Sequence, residues 1–241
     1  MAKVHCVMQA KGGTGKSLVA ALLAQYLARR GHAPLCIDAD PVHGTLCGYR
    51  GLAARRLPWH QRGPFDARAF DAMLQWIAQT PQDVVIDSSA SVCLPLLHFL
   101  ASPRARPRLA RISHRWIVHT LVAGGPAFTD TLDGFAQLVR QWPQTTRFVL
   151  WLNPFWGALV HQGQGVEALP AYRENRHRLD ALLRLPELQP VTDGRALAAL
   201  LEQRLTFDEA LAMASLGILE RQRLKQLQRA LFAQLDLAMV Q

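Results

Sequence analysis

The sequence predicts an α/β protein, a three-layer, doubly wound, mostly parallel sheet with helices on both faces. Three observations predict it. Short apolar runs alternate with longer segments of helical periodicity along the chain. A glycine-rich loop separates the first apolar run from the first helical segment. Several later runs end in an acidic or amide residue, at the strand ends where such sheets hold ligands. At 241 residues the chain is expected to form one domain, 1–241, with C-terminal helices from about residue 195 packed on it.

The elements follow in order. Val4 to Met8 reads as the first buried strand. After the loop, Val19, Leu22, Leu23, Tyr26 and Leu27 recur at helical spacing, and Gly31 reads as the helix stop. Pro34 to Ile37 is a second strand, ending in Asp38-Ala39-Asp40-Pro41. A polar, basic segment runs to about Pro64, then Phe65 to Gln79 reads as a helix. Asp83 to Asp87 is a third strand and Leu94 to Leu100 is helical. An Arg-rich connector, 103–115, leads to a fourth strand from Trp116 to Val122. The helix from Phe128 to Gln141 is stopped by Pro143. Arg147 to Leu152 is a fifth strand ending at Asn153-Pro154. Glu167 to Arg178 is read as helical, and Leu182 to Leu185 as a sixth strand closed by Pro186. Arg195 to Arg204, Phe207 to Ala214 and Leu219 to Met239 complete the chain as helices.

Composition narrows the function classes. No apolar run is long enough to span a membrane, and the N-terminus runs straight into a strand, so a cytoplasmic location is expected. Cys6, Cys36, Cys47 and Cys93 show no Cys-x-x-Cys spacing, which argues against a disulfide or metal framework. The formal net charge is +9, carried by 23 arginines and only 4 lysines. Two of those lysines, Lys11 and Lys16, lie in the glycine-rich loop. A lysine is a compact point charge that fits between phosphates, where arginine's planar fork fits less well.

The loop Ala10-Lys11-Gly12-Gly13-Thr14-Gly15-Lys16-Ser17 is read as a phosphate cradle. In strand–loop–helix context its backbone N–H groups and the positive helix end hold phosphate oxygens. Gly12, Gly13 and Gly15 allow close approach, and Thr14 completes the loop. Lys16 reaches the terminal phosphates and the Ser17 hydroxyl binds Mg²⁺. Asp87, ending an apolar strand, belongs to the Mg²⁺ shell. Asp38 and Asp40 end the strand after the loop's helix, where carboxylates order Mg²⁺ waters and position an attacking water. The plain alternative for Asp40-Pro41 is a turn or helix cap. No Asn-Lys-x-Asp guanine motif appears, so ATP is the expected nucleotide.

These residues together resemble the deviant Walker-A ATPases of the ParA/MinD family, related more broadly to the nitrogenase iron protein. Lys11 to Ser17 matches the family signature, Asp38-Ala39-Asp40-Pro41 its first switch, and Val84 to Asp87 its Walker-B strand. The resemblance implies a slowly hydrolysing, partner-stimulated switch ATPase that dimerises with ATP. It implies that Lys11 reaches the nucleotide of the second subunit, that Asp40 orients the hydrolytic water, and that Asp38 supports Mg²⁺. It places Asn153 against adenine and Pro186 in a loop lining the base. Five further segments, spread from Met1-Ala2-Lys3-Val4-His5 to Arg221-Gln222-Arg223-Leu224-Lys225, resemble a protein of conjugative plasmid transfer regions. The chain departs from the family after Asp87, where Ser88-Ser89-Ala90-Ser91 replaces a Pro- and Gly-containing switch.

A nucleotide-binding scaffold with negligible turnover is the alternative to a switch. A redox role requires cluster-ligating cysteines, and Cys93 has no convincing partner. Arg104, Arg106, Arg108, Arg111 and Arg115 suit DNA backbone without sequence preference, against the plain reading of a solvated loop. Relaxosome or other transfer proteins are the second class of partner. Leu224, Leu227, Leu231 and Leu235 form a stripe on the last helix beside Arg221, Arg223, Lys225 and Arg229, read as core packing more than membrane binding. Trp151, Pro154, Phe155 and Trp156 around Asn153 are read as sheet core and flexible loop, or as a nucleotide-flanking loop that meets the second subunit or a transfer protein.

Overall fold

The computed structural model describes residues 1–59, 66–187 and 200–239. Among them the elements are β1 (Lys3–Val7), α1 (Lys16–Arg29), β2 (Leu35–Asp38), β3 (Arg55–Arg56), α2 (Ala67–Gln79) and β4 (Val84–Asp87). There follow α3 (Ala90–Ala101), α4 (Arg106–Leu109), β5 (Arg115–Ala123), α5 (Phe128–Gln141) and β6 (Arg147–Asn153). A small hairpin, β7 (Val160–His161) and β8 (Gln164–Gly165), precedes α6 (Pro170–Asn175), β9 (Leu179–Arg184), α7 (Phe207–Ala212) and α8 (Ile218–Met239).

Seven strands form one sheet in the order β3-β2-β4-β1-β5-β6-β9, and every adjacent pair is parallel. Successive strand residues point to opposite faces, so Cys6 joins one core and Val7 the other. The first core takes Phe70 and Met73 of α2, Leu96 of α3 and Phe135 of α5. The second takes Val19 and Leu23 of α1, Phe207 of α7 and Leu231 and Leu235 of α8. These are the expected three layers. The chain winds outward from β1 to β2, then returns through β4 to continue at β5, which makes the carboxyl end of β1 the switch point.

Local chemistry sets several boundaries. The Asp66 carboxylate accepts from Arg68 N at 3.0 Å and caps α2. Thr206 and Glu209 form a capping box at α7. Gly31, at φ +81°, ends the turn after α1. The leucine stripe of α8 is core, with Leu224, Leu231 and Leu235 buried. No described helix is long and apolar enough to cross a membrane.

Three expectations change. The basic segment before residue 64 contains β3, which pairs Arg55 and Arg56 with Ile37 and Asp38. Two exposed arginines carry no strand pattern, and only the free edge of β2 makes them one. The stretch after Gly157 holds the β7–β8 hairpin where a flexible loop was expected. The helix read over 167–178 shortens to α6 between 3₁₀ turns, because Pro170 starts it and β9 already begins at Leu179. Residues 195–199 of another expected helix lie outside the described residues.

A buried polar chain crosses the second core. Trp151 Nε1–H donates to His119 Nδ1 at 3.1 Å. His119 Nε2 must then carry the proton and donate to His5 Nδ1, at 2.9 Å. The proton left on His5 Nε2 has no partner. Burial lowers the His5 pKa from 6.5 to about 4, and lowers that of His119 well below 6.5. The folded protein therefore binds fewer protons here than the unfolded chain between about pH 4 and 6.5. Stability from this pair is present above 6.5 and is lost as pH falls through that window. At 1.36 kcal/mol per unit, His5 contributes on the order of 3 kcal/mol. Asp87, with a raised pKa, acts in the opposite sense, so the pair is read as a difference. His119→Leu is expected to lower stability at pH 7.5 and to flatten the loss between pH 7.5 and 5. Denaturant midpoints at both values check this. Parallel losses in wild type and variant would refute it.

Candidate functional site

The glycine-rich loop leaves the carboxyl end of β1 and feeds the N-terminus of α1. Gly13 and Gly15 sit at φ +71° and +100°, in the left-handed region that disfavours side chains. A Cβ on Gly15 would lie 3.1 Å from Asn153 Nδ2. The loop is thus glycine-rich for backbone shape at Gly13 and for both shape and space at Gly15.

Lys16 is buried and folds back into the loop, its Nζ donating to the Lys11 carbonyl at 2.9 Å. Desolvation pushes its pKa below the usual lysine range, while Asp87, then Cys93 and Asp40, push it back up. Lys11 behaves differently. Its side chain is 49% exposed and makes an ion pair with Asp130 Oδ2 on α5 at 2.7 Å.

Asp87 lies at the end of β4, in register with Val7 of β1 and Asp38 of β2. It is almost fully buried, and neither carboxylate oxygen has a well-formed hydrogen bond. Burial raises its pKa to about 7, with the Ser17 hydroxyl close enough to favour the charged form and Asp38 opposing it. A buried carboxylate with unused oxygens beside a serine hydroxyl fits a hard divalent cation such as Mg²⁺. Among the described residues no three His, Cys, Asp or Glu side chains form a metal cage. Mg²⁺ keeps waters and substrate oxygens in its shell and so does not need such a cage.

Asp38 is also fully buried, but its oxygens are in use. Oδ1 accepts from Asp40 N at 3.0 Å and Oδ2 from Cys47 N at 2.9 Å. Its observed task is to hold the following segment beside the loop. Asp40 Oδ1 accepts from Val42 N at 2.8 Å and His43 N at 3.2 Å, and Oδ2 lies 3.3 Å from His43 Nδ1. The turn-cap reading of Asp40 is therefore physically realised, and the side chain stays near enough to Lys16 to influence it.

Asn153 ends β6 directly behind the loop. Its Nδ2 donates to the Thr14 carbonyl at 2.9 Å and its Oδ1 accepts from Phe155 N at 3.1 Å. The Asn153 amide thus braces the loop from behind. Pro186 lies half-buried two residues beyond β9, and Leu185 N bonds to Leu152 O at 2.8 Å, so both strand ends sit together. The Ser88 hydroxyl and N–H both donate to the Val7 carbonyl, at 2.8 and 3.3 Å, which ties the altered second switch to β1.

Two contributors, Gln9 and Asp130, escape sequence reasoning, and Trp156, singled out there with its neighbours, takes a bond that the sequence did not specify. Gln9 is buried, and its amide donates to the carbonyls of Leu121 at 2.8 Å and Thr131 at 3.0 Å. A Cβ on Gly134 would fall 2.6 Å from Gln9 Oε1, which explains a glycine inside α5. Its position just before the loop is the only signal that pointed to it. Trp156 Nε1 donates to the Gly13 carbonyl at 3.1 Å. Asp130 pairs with Lys11 across 119 residues, and nothing local in the sequence announces it. The cysteines are free, and burial pushes Cys36 and Cys93 up to about 12, which leaves them inert thiols. In the Arg-rich connector, Arg104 and Arg108 pair with Asp71 of α2, and Arg115 with Asp180 of β9.

A phosphate-cradling loop at the switch point of a parallel sheet, with the strand-end carboxylate beside it, defines a P-loop nucleotide-binding protein. The chain belongs to the family described as the CobQ/CobB/MinD/ParA nucleotide binding domain (CbiA), whose model matches residues 6–229. Two proteins named Protein TraL from Escherichia coli are 48% and 47% identical to it over 240 residues, covering 100% of this chain and 100% of each relative. The MinC:MinD cell division protein complex of Aquifex aeolicus shares the fold, at TM-score 0.52 and 14% identity over 96% of both chains.

Proposed function

We propose that this protein is an ATP-binding, slowly hydrolysing switch ATPase that supports conjugative DNA transfer. ATP closes a homodimer across the nucleotide, the dimer engages DNA or transfer-complex proteins, and hydrolysis releases it. The observation that carries this reading is the contrast between two lysines of one loop. Lys16 is buried and turned inward, while Lys11 is half exposed and held only by an exposed ion pair. One lysine serves its own loop, and the other is free to serve a second subunit.

The chemistry follows from the geometry. The loop amides and Lys16 hold the terminal phosphates. Ser17 and Asp87 are the residues that would hold Mg²⁺, with Asp38 fixing the segment beside them. Held there, Mg²⁺ would supply positive charge against the terminal phosphates. Asp40 positions the water whose oxygen attacks the γ-phosphorus as the bond to the β-phosphate breaks. Lys11 of the partner subunit adds a second cation against that charge. Pro186 borders the base, and Asn153 keeps the loop in shape beneath it.

Two arms test this reading. Lys11→Ala is expected to bind ATP within about threefold of wild type but to stay monomeric and lose hydrolysis, read by nucleotide binding, sedimentation and phosphate release. A dimeric, fully active variant would refute the shared site. Asp130→Asn releases Lys11 from its own subunit. Exposed ion pairs are worth about 0–1 kcal/mol and the dimer holds two of these, so dimerisation with ATP should tighten by no more than about thirtyfold. Weaker dimerisation would instead make Asp130 part of the contact.

A second reading, a nucleotide-binding scaffold with negligible turnover, draws on Ser88. Its two bonds to Val7 anchor the altered switch where the family carries a Pro- and Gly-containing one. Phosphate release that stays at background with DNA and transfer proteins present would favour it. For the partner, Arg106 and Arg111 are exposed and outside the Asp71 ion pairs. ATP-dependent, salt-sensitive DNA binding supports a DNA partner. Capture of transfer proteins by the Asp40→Ala form held on ATP supports the other.

A further inference from the structure

Exposed aromatic side chains on a rigid turn call for an explanation, and this chain has two beside its phosphate loop. Phe155 is 69% and Trp156 57% exposed, packed edge to face at 4.8 Å between ring centroids. Val160, at 51%, is a further exposed apolar side chain, on the hairpin that follows.

The turn that presents them is braced from behind. Gly124 N donates to Asn153 O at 2.8 Å and Gly125 N to Ala158 O at 3.0 Å. A Cβ on Gly124 would collide with the Gly157 carbonyl, and one on Gly125 with that of Trp156. Backbone packs directly on backbone, so the aromatic pair is held outward. The same turn is tied to the nucleotide loop twice. Trp156 bonds the Gly13 carbonyl at 3.1 Å and Asn153 the Thr14 carbonyl at 2.9 Å.

The surface continues to Lys11. The Thr129 hydroxyl lies 3.5 Å from His161 Nδ1, which joins the hairpin to the start of α5, where Asp130 holds Lys11. Opposite charges lie side by side there, 49% and 62% exposed. A two-fold interface presents the same patch on both sides, so it must be self-complementary. Adjacent opposite charges meet that requirement, since a patch of mixed sign does not repel its own copy. An apolar patch beside them supplies buried area that charge alone does not.

We infer that Phe155, Trp156 and Val160 form the apolar part of the ATP-dependent interface with a second copy of this chain. The inference rests on the shared-site reading above and names the surface through which the loop is shared. Because Trp156 and Asn153 grip consecutive loop carbonyls, phosphates that fix the loop also fix it against the docking surface. That gives a physical route from bound nucleotide to dimer.

The test uses the full chain with Mg²⁺ and a non-hydrolysable ATP analogue. Sedimentation velocity reads the dimer, and a fluorescent ATP analogue reads binding. Phe155→Glu and Val160→Glu replace exposed side chains that make no hydrogen bond to the loop. Both are expected to bind nucleotide within about twofold of wild type. Burying one large apolar side chain contributes roughly 1.5–3 kcal/mol, and each substitution appears twice in the dimer. Dimerisation should therefore weaken at least about tenfold. Trp156→Phe, which keeps the ring and loses the bond to Gly13, should dimerise but need more nucleotide. Unchanged dimerisation in both glutamate variants overturns this surface and leaves the shared site standing. A wild type that stays monomeric with nucleotide overturns both. Variants that dimerise normally but no longer bind a transfer protein assign the surface to that partner instead.

Discussion

Lys16→Ala is expected to reduce ATP hydrolysis by at least about a hundredfold, the effect typical of removing a preorganised charge from a developing oxyanion. The ammonium is buried, bonded to the Lys11 carbonyl at 2.9 Å, and close enough to Asp87 to feel its charge. Alanine deletes the only lysine aimed into the cradle and leaves Asp87 without its nearest basic neighbour. Lys16→Arg should not rescue, because a planar guanidinium does not fit where a point charge sits between phosphates. The fold should survive, since Ala is a good helix former at the start of α1. Circular dichroism checks folding, and phosphate release under saturating ATP gives the rate. A folded Lys16→Ala protein within threefold of wild type would remove Lys16 from the site.

The second large effect is at Asp40, where two roles must be separated. The carboxylate caps the turn through Val42 N and His43 N, and in the proposed mechanism it also positions water. Asp40→Ala removes both. Asp40→Asn keeps an acceptor for the turn amides and removes only the negative charge. Loss of a positioned base costs roughly 10² to 10⁴ in rate, so both variants are expected to hydrolyse ATP at least about a hundredfold more slowly. Nucleotide binding and dimerisation should persist in Asp40→Asn, giving a form held on ATP. If Asp40→Asn hydrolyses normally while Asp40→Ala does not, the residue acts through the turn alone. Equal rates in wild type and both variants would defeat the water-positioning role.

Much of this was legible in the chain because the signals were local. Phe128–Gln141 stands as read, since Pro126 and Pro143 bracket an amphipathic pattern. The parallel sheet followed from apolar strands too short to be helices and separated by helical segments. Asp87 was legible as a strand-end acid. Its two unused oxygens were not, because they depend on what surrounds a buried side chain. Arg55–Arg56 escaped because an edge strand is made by its neighbour's free backbone groups, not by its own residues. Asn153 was legible as the end of a strand, but its bond to Thr14 spans 139 residues and no spacing rule reaches that far.

By itself the sequence determined the strand–loop–helix cradle, the two lysines within it, the acids at the strand ends and the alternation that produces the layers. These are properties of residue order, because backbone propensity and periodicity act over a few residues at a time. The tertiary structure alone decided how each group is employed. It turned Lys16 inward and left Lys11 outward against Asp130. It assigned the oxygens of Asp38 to the backbone and left those of Asp87 unused. It also stood Phe155 and Trp156 in solvent on a turn locked by two glycines. Burial, desolvation and hydrogen bonding between distant residues arise only when the layers close, and those terms separate two lysines, or two aspartates, that the chain presents as alike.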